Sequence, residues 1–309
     1  MARFALNRIL WTIPVFWLVI TVTFVLIQVT PGSPWDARNA ANGGRLDPSL
    51  RPSWEREHGL DKPVAQQYVN YLVNSARFQF GESYTQDGQS VYERIMQGFP
   101  YSARIGVYAL VLAAVMGIPL GVIAALKQNT IVDYVSLFFA TVGATVPSFV
   151  IGFFMLVFFG VRLNWVPILW TDWRNYILPV VVLGIGTSAF IARLTRASIL
   201  EITRQDYVRT ARAKGLTERA VTMRHILRNG LIPVVTIMGP ALAALITGTI
   251  IIENVFGVPG MGYLYIQSIG ARDYPVIMGT TLFYTFFIVV GNMLVDLTYG
   301  VIDPRIKTS

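Results

Sequence analysis

The chain has 309 residues, of which 54% are hydrophobic and 14% are charged, and its formal net charge at neutral pH is +8. Soluble domains carry about 25% charged residues, so this composition excludes an ordinary soluble protein and indicates a membrane protein. The chain has no cysteine, which excludes disulfide bonds and thiol chemistry.

Six apolar segments are long enough to cross a bilayer core, which takes about 20 residues in a helix. They cover approximately residues 9–29, 102–126, 135–160, 176–197, 231–252 and 277–300. Helices are expected because lipid offers no hydrogen-bond partner to an unpaired backbone amide. The sequence therefore predicts an all-α polytopic membrane protein with six transmembrane helices.

The first apolar segment, residues 9–29, is longer than a signal-peptide core of about 7–15 residues, and no small-residue cleavage site follows it. We expect residues 1–30 to form an N-terminal cytoplasmic end and the first transmembrane helix. Residues 31–100 are predicted to be an extracytoplasmic segment with short amphipathic helices at 63–78 and 91–99. These helices are expected to lie along the membrane interface, where they either cap the outer end of the helix bundle or contact an external partner or substrate carrier.

Several residues inside the apolar segments perturb regular helices. Gly117 and Gly121 are four positions apart, a spacing that lets a neighbouring helix approach closely. The prolines, among them Pro14, Pro147 and Pro240, predict kinks. Together these residues favour a tightly crossed bundle that changes shape.

Basic residues are distributed unevenly among the connecting segments. The two short loops that follow the third and fifth apolar segments hold only Arg162, Arg174 and Arg272, whereas nine basic residues lie between positions 193 and 228. Because basic residues accumulate on the cytoplasmic side, both termini are predicted to be cytoplasmic. This topology accounts for the net charge, so no nucleic-acid partner is expected.

The sequence lacks the motifs of several enzyme classes. It has no phosphate-binding Gly-x-x-x-x-Gly-Lys-Ser/Thr loop, no Gly-x-Ser-x-Gly elbow, and only two histidines, His58 and His225. Asp296 is the one clear carboxylate inside an apolar segment, whereas a proton-driven carrier needs several buried ionisable groups. An ion-coupled secondary transporter and a channel therefore stay only as alternatives.

Residues 198–230, between the fourth and fifth apolar segments, form a basic loop with high helix propensity. A helix is predicted over 198–214, and Gly215 permits the left-handed turn that ends it. Thr217 is placed to cap a second helix over 218–229. This helix–glycine–helix elbow is either an ordinary solvated loop or, as we favour, a helix that docks in a groove of a soluble partner.

Four stretches carry a resemblance to a known family. They are Tyr207–Gly215 with His225–Thr236, Arg8–Pro34, Ile252–Gly262 with Ala271–Pro275, and Val295–Arg305. In these stretches the chain resembles bacterial ABC importer permeases, in particular the first of the two permease subunits of the dipeptide, oligopeptide and nickel subfamily. The general importer motif has Glu-Ala-Ala where this chain has Arg209-Thr210-Ala211, so only Ala211 and Gly215 match it.

The resemblance implies a type I ABC importer permease fold in the cell membrane, with residues 101–300 as a core of five transmembrane helices and residues 301–309 as a cytoplasmic tail. Besides the lipid bilayer, the implied partners are a second homologous permease subunit, two ATPase subunits or domains, and an extracytoplasmic substrate-binding protein. ATP and Mg²⁺ would be bound by the ATPases. Dipeptides and oligopeptides are the implied substrates, with nickel chelates, glutathione or oligosaccharides as alternatives.

The resemblance also implies roles for particular residues. The ATPase-coupling residues lie in the loop 206–228 and are Arg209, Thr210, Ala211, Arg212, Lys214, Gly215, Leu216, Arg224 and His225. Candidates for an outer gate or for contact with the binding protein are Glu253, Asp273 and Tyr274. We expect no catalytic residue, no metal ligand and no bound cofactor in this chain.

Overall fold

The computed structural model describes residues 2–86, 88–247 and 249–302. Within these ranges the chain is helical, apart from turns and a β-bridge between Glu82 and Ser90, which confirms the predicted all-α fold class. The end of the predicted motif Val295–Arg305 and most of the predicted tail 301–309 lie outside the described residues. The side chain of Asp296 is likewise not among those described.

Fifteen α-helices follow one another along the described part of the chain. They are α1 (Ala2–Val29), α2 (Pro34–Ala41), α3 (Arg51–Glu57), α4 (Val64–Ala76), α5 (Val91–Leu126), α6 (Ile131–Thr145), α7 (Ser148–Met155), α8 (Ile177–Thr203), α9 (Asp206–Ala213), α10 (Glu218–Val221), α11 (Arg228–Gly230), α12 (Ile232–Thr247), α13 (Ile250–Phe256), α14 (Met261–Gly270) and α15 (Tyr274–Ile302). Two π-helical stretches, Leu156–Arg162 after α7 and Thr222–Leu227 after α10, continue those helices.

Five helical stretches of the described chain are long and apolar enough to cross a membrane. They are Leu10–Val29, Val91–Leu126, Trp173–Thr203, Glu218–Thr247 and Tyr274–Met293. Each of them overlaps one of the predicted segments. The remaining predicted segment, residues 135–160, holds two helical pieces, Asp133–Gly143 and Ser148–Arg162, which meet at an angle of 90°.

The bend in the 135–160 segment lies at Pro147. Val146 has an extended backbone (φ −79°, ψ 124°), and Pro147 precedes α7 with ψ 132°. A proline lacks the amide that would continue the helix, and it disfavours the helical conformation in the residue before it. The kink predicted at Pro147 is therefore confirmed as a sharp bend, and the bent pair, counted as one span, gives the predicted total of six.

The chain divides into two compact units. The first unit comprises Met1–Ser102 and Val258–Val289, and the second comprises Ala103–Gly257 and Val290–Ser309. The division falls within α5 and within α15. The first unit thus contains the whole predicted extracytoplasmic segment 31–100 together with residues 258–289, which include the start of the last span. The predicted domain limits at 31–100 and 101–300 stay predictions.

In the first unit, the helix predicted over 63–78 is confirmed as α4, whose Tyr71 and Leu72 pack against α1 and α15 residues. The helix predicted over 91–99 is not a separate interfacial helix, because α5 runs without a break from Val91 through Pro100. Val91 is fully buried, and a Cβ added to Gly279 would lie 2.5 Å from its side chain. The start of α5 therefore packs inside this unit.

In the second unit, the two glycines of α5 lie against the backbone of α8. A Cβ added to Gly117 would lie 2.7 Å from the carbonyl oxygen of Ser188, and one added to Gly121 would lie 2.5 Å from that of Ala192. Real Cβ atoms do not approach so closely, so only glycine permits this separation. The predicted close helix crossing is confirmed.

A buried ion pair ties the start of α6 to α8. The Nε and terminal nitrogen of Arg196 donate to the two carboxylate oxygens of Asp133 over 2.7 and 2.8 Å, and the Asn129 amide donates to the same carboxylate over 3.0 Å. The side chain of Asp133 is 1% exposed and that of Arg196 is 21% exposed. Because such a charge is stable in an apolar setting only when it is paired, each of these residues depends on the other.

Candidate functional site

The predicted helix–glycine–helix elbow is present between α9 and α10. Gly215 has φ +79°, the left-handed conformation that ends a helix. The Thr217 side chain then accepts a hydrogen bond from the amide of Ala220 over 3.4 Å at the start of α10. The conformational roles predicted for Gly215 and Thr217 are therefore confirmed.

The first helix of the elbow is shorter than the predicted stretch 198–214. Helix α8 ends at Thr203, and Gln205 is extended (φ −70°, ψ 148°) before α9 begins. In one continuous helix Val208 would lie about 13 Å along the axis from Ile199, yet both residues are buried in one cluster. The break allows the chain to fold back so that α9 packs on the end of α8.

The elbow is held to the rest of the second unit by its apolar face. Val208 and Ala211 of α9 are buried together with Ala125 of α5, Ile199 of α8 and Ile226 of the following π-helical stretch. Ala211, predicted as a coupling residue, is therefore buried in this conformation and anchors the elbow. We call this cluster the elbow seat.

The opposite face of the elbow is open to solvent. Its exposed members include most of the predicted coupling residues, namely Arg209, Thr210, Arg212, Lys214, Gly215, Leu216 and Arg224, while His225 is half-buried. Three large apolar side chains share this face: Tyr207 is 41% exposed, Leu216 is 41% exposed and Met223 is 60% exposed. Exposed apolar groups among basic ones are typical of a surface that binds another protein.

Tyr207 and Met223 were not among the predicted coupling residues. Their signal in the sequence is a large apolar residue inside a stretch rich in arginine. The Tyr207 hydroxyl accepts a hydrogen bond from the Asn229 amide over 3.1 Å, and the Arg212 guanidinium donates to both carboxylate oxygens of Glu218 over 2.8 and 3.3 Å. These exposed contacts cross the glycine turn, and the ion pair contributes at most about 1 kcal/mol.

Asp273, a predicted gate residue in the first unit, is buried, and both of its carboxylate oxygens accept hydrogen bonds. Its carboxylate accepts hydrogen bonds from the hydroxyls of Ser83 (2.5 Å) and Thr85 (2.9 Å), and from the amide of Tyr84 (3.1 Å). Arg94 adds an ion pair at 3.3 Å. Asp273 thus fixes the segment 83–85 at the start of α15 and has no exposed surface with which to contact a binding protein in this conformation.

Tyr274, the next predicted gate residue, is half-buried and packs its ring near that of Tyr84, with the centroids 6.1 Å apart. Burial raises the pKa of the Tyr84 hydroxyl well above its usual value, and the charge of Asp273 raises it further. Tyr84 therefore stays neutral at physiological pH. The gate function of Asp273 and Tyr274 remains a prediction.

Glu253, the third predicted gate residue, is a buried carboxylate of the second unit. It lies on α13 and accepts a hydrogen bond from the Thr249 hydroxyl one turn earlier, over 2.6 Å. The side chain is fully buried in this conformation, and its gate function stays a prediction. Among the described residues, no group of three or more His, Cys, Asp or Glu side chains lies close enough together to hold a metal ion.

Comparison with known proteins matches the chain over nearly its whole length. Residues 1–106 match the family model for the N-terminal part of the binding-protein-dependent transport system membrane component, and residues 117–308 match the model for the binding-protein-dependent transport system inner membrane component. The dipeptide transport system permease protein DppB of Bacillus subtilis is 42% identical over 99% of this chain and 98% of its own length. The oligopeptide transport system permease protein OppB of Salmonella typhimurium is 38% identical over 99% of this chain and 100% of its own length.

Solved structures support the fold. An amino acid ABC transporter chain, 17% identical, aligns with a TM-score of 0.54 over 67% of this chain and 92% of its own length. A chain of the methionine ABC transporter MetNI in an inward-facing conformation, also 17% identical, aligns with a TM-score of 0.50 over 66% of this chain and 95% of its own. The predicted type I ABC importer permease fold is confirmed, and the chain belongs to the binding-protein-dependent transport system inner membrane component family as a multi-pass membrane permease.

Proposed function

We propose that this permease is a subunit of an ATP-driven importer of short peptides. The support for peptides is that relatives named for dipeptide and oligopeptide transport match it from end to end at 42% and 38% identity. Nickel chelates, glutathione and oligosaccharides are not favoured by these relatives. The chain would form half of the translocation pathway, with a second homologous permease as the other half.

The observation that carries the coupling mechanism is the two-sided construction of the elbow. One face, with Val208 and Ala211, is packed into the elbow seat, while the other presents Tyr207, Leu216 and Met223 among basic side chains. An ATPase subunit that binds the open face would therefore act on α5 and α8 through the seat. ATP shifts the conformational equilibrium of the transporter only if the contacts between the ATPase and this face differ from one conformation to the other.

The remaining parts of the assembly follow from this arrangement. Two ATPase subunits or domains would bind ATP and Mg²⁺ on the cytoplasmic side, where both termini and the elbow would lie. An extracytoplasmic binding protein would deliver the peptide to the surface formed partly by residues 31–100. This chain would bind no cofactor and contribute no catalytic residue.

The test is purification of the chain from its native membrane in mild detergent, followed by identification of every co-purifying subunit by mass. A second permease together with ATPase chains is the expected result. The purified assembly, reconstituted with its binding protein, should take up dipeptides when ATP is supplied, and an uncoupler should have no effect. A lone chain that still transports, or uptake that an uncoupler abolishes, would overturn the proposal and favour an ion-coupled secondary transporter.

A further inference from the structure

The first unit contains a cavity of about 580 Å³, formed entirely by residues of that unit. Its walls are the C-terminal end of α1, residues 56–62, one face of α4, residues 79–84 and the first turn of α15. The volume lies within the range of about 300–1,000 Å³ that is typical of small-molecule sites. The coupling mechanism makes no use of this cavity.

The buried members of the wall are aromatic or apolar. Tyr84, Ile27 and Met278 are each less than 10% exposed, and the rings of Phe24 and Tyr71 stand beside them, with centroids 6.5 Å apart. Such a surface binds apolar or aromatic side chains of any shape that fits, because the hydrophobic effect is not directional. This part of the cavity would therefore accept varied side chains.

Charged side chains of both signs line the exposed part of the cavity. Arg56 and Lys62 provide two cationic groups, and Glu57 and Glu82 provide two carboxylates. The formal charge of this set is zero. It is therefore matched to a ligand that carries both a cationic and an anionic group, and not to a simple anion or cation.

Helix α4 turns a row of amide side chains towards the cavity. Gln67, Asn70 and Asn74 lie three and four residues apart, which places them on one face of the helix. Gln67 shapes the wall, since its Nε2 donates to the carbonyls of Leu60 and Lys62 over 3.1 and 2.7 Å. The side-chain amides of Asn70 and Asn74 make no hydrogen bond to any residue that the structure describes, so both remain available to a ligand.

We propose that this cavity is a binding site for a short peptide with free termini. Glu57 and Glu82 would bind its ammonium group, and Arg56 and Lys62 would bind its carboxylate. The amide of Asn74, like that of Asn70, offers one acceptor and two donors, which complement the N–H and C=O of a peptide unit.

This recognition uses only groups that every short peptide shares, while the aromatic walls accept varied side chains. The proposal deepens the function proposed above and rests on it for the choice of substrate. A zwitterionic phospholipid headgroup is the alternative occupant, and the test below distinguishes it from a peptide.

The test uses the complete transporter, purified without its external binding protein, and a dipeptide of alanine and photo-leucine. Illumination should attach the probe to the C-terminal end of α1, to residues 56–84 or to the start of α15. Unlabelled Ala-Leu should compete with it at least about tenfold better than N-acetyl-Ala-Leu-amide, which lacks both charged termini.

Two variants and a matched control complete the test. The double variant Asn70→Leu/Asn74→Leu should bind the probe at least about tenfold more weakly, whereas Gln66→Leu should bind it normally, since Gln66 lies on α4 but does not line the cavity. The double variant Glu57→Gln/Glu82→Gln should weaken binding of free Ala-Leu and leave that of the N-acetylated dipeptide unchanged. If the asparagine double variant fails to fold, the glutamate double variant still tests the site.

Three results would overturn the proposal: labelling outside the cavity, equal competition by the capped dipeptide, or a phospholipid that co-purifies with the wild type and is lost in the Asn70→Leu/Asn74→Leu variant. ATP-dependent dipeptide uptake is also measured, on the same preparation with its binding protein added. This measurement distinguishes failure of the cavity site from failure of the proposed function. Uptake without labelling of the cavity would reject the site and keep the proposed function. Labelling of the cavity without any peptide uptake would reject the proposed function.

Discussion

Replacing Gly215 by proline should uncouple ATP hydrolysis from uptake while leaving the chain in the membrane. Gly215 has φ +79°, whereas proline holds φ near −65°. The substitution also removes the amide that donates to the Arg212 carbonyl over 2.9 Å at the end of α9. The turn that joins the two arms of the elbow is therefore incompatible with proline.

The size of the effect follows from two opposing terms. Loss of the hydrogen bond and of the left-handed turn costs about 3 kcal/mol or more. The seat opposes detachment, because Val208, Val221 and Ile226 are fully buried in it and each contributes about 1.5–3 kcal/mol. Since the seat outweighs the penalty, we expect the elbow to stay attached while its open face is distorted.

The matched control is Gly215→Asn. Asparagine tolerates the left-handed conformation better than other non-glycine residues, at a cost below about 1 kcal/mol, and no atom lies within 4 Å of a Cβ added at this position. Gly215→Asp is conformationally similar and tests only the added negative charge. The asparagine variant should therefore couple almost normally.

The assay is the ratio of peptide taken up to ATP hydrolysed in proteoliposomes, measured on assemblies with equal subunit content. A penalty of about 3 kcal/mol, if fully expressed as lost coupling free energy, corresponds to about a 100-fold change, so the ratio should fall at least about tenfold for the proline variant. Wild-type uptake by that variant would refute the role of the elbow. Equal impairment of the asparagine variant would refute the argument from backbone conformation.

Three further substitutions test the contacts that hold each unit together. Asp133→Ala should lower the free energy of unfolding in detergent by about 3 kcal/mol, because it strands the Arg196 guanidinium; adding Arg196→Met should recover part of the loss, and strictly additive costs would argue against the pair. Asp273→Ala should expose residues 83–85 to limited proteolysis, since their hydrogen bonds end on this carboxylate; an unchanged cleavage pattern would contradict that role. Gly121→Ala should lower the melting temperature, whereas Gly270→Ala, where an added Cβ meets no atom within 4 Å, should not; equal effects would contradict the close crossing.

The spans were predictable because their signal is local. An apolar run of about 20 residues has few alternatives to a transmembrane helix. The effect of a particular proline was not predictable in the same way. Pro14 and Pro240 lie inside α1 and α12 without ending them, whereas Pro147 stands at a bend of 90°. Whether a proline breaks a membrane helix depends on the partners that satisfy the freed carbonyl, and these come from other parts of the chain.

Local chemistry also determines the elbow turn, since a glycine that ends one helix and a threonine that caps the next are sufficient to predict it. The surroundings of the gate candidate Asp273 were not predictable, for the opposite reason. Asp273 receives its hydrogen bonds from Ser83, Tyr84 and Thr85, nearly two hundred positions earlier in the chain. No periodicity in the sequence reports such a pairing, so an acidic residue in a loop appears exposed when it is buried.

The contacts of the second unit explain why an elbow on its surface is suited to drive motion inside it. Gly117 and Gly121 bring the backbone of α5 against α8, and at such separations neither helix slides past the other without steric conflict. The seat lies just beyond this crossing, where Ala125 of α5 and Ile199 of α8 contribute to the same cluster as Val208 of α9. A displacement of α9 therefore acts on both helices at adjacent points. Because the backbones of α5 and α8 are in contact, we expect the two helices to move as one rigid body. A small displacement of the open face should then produce a displacement of similar size in the membrane-spanning part of both helices.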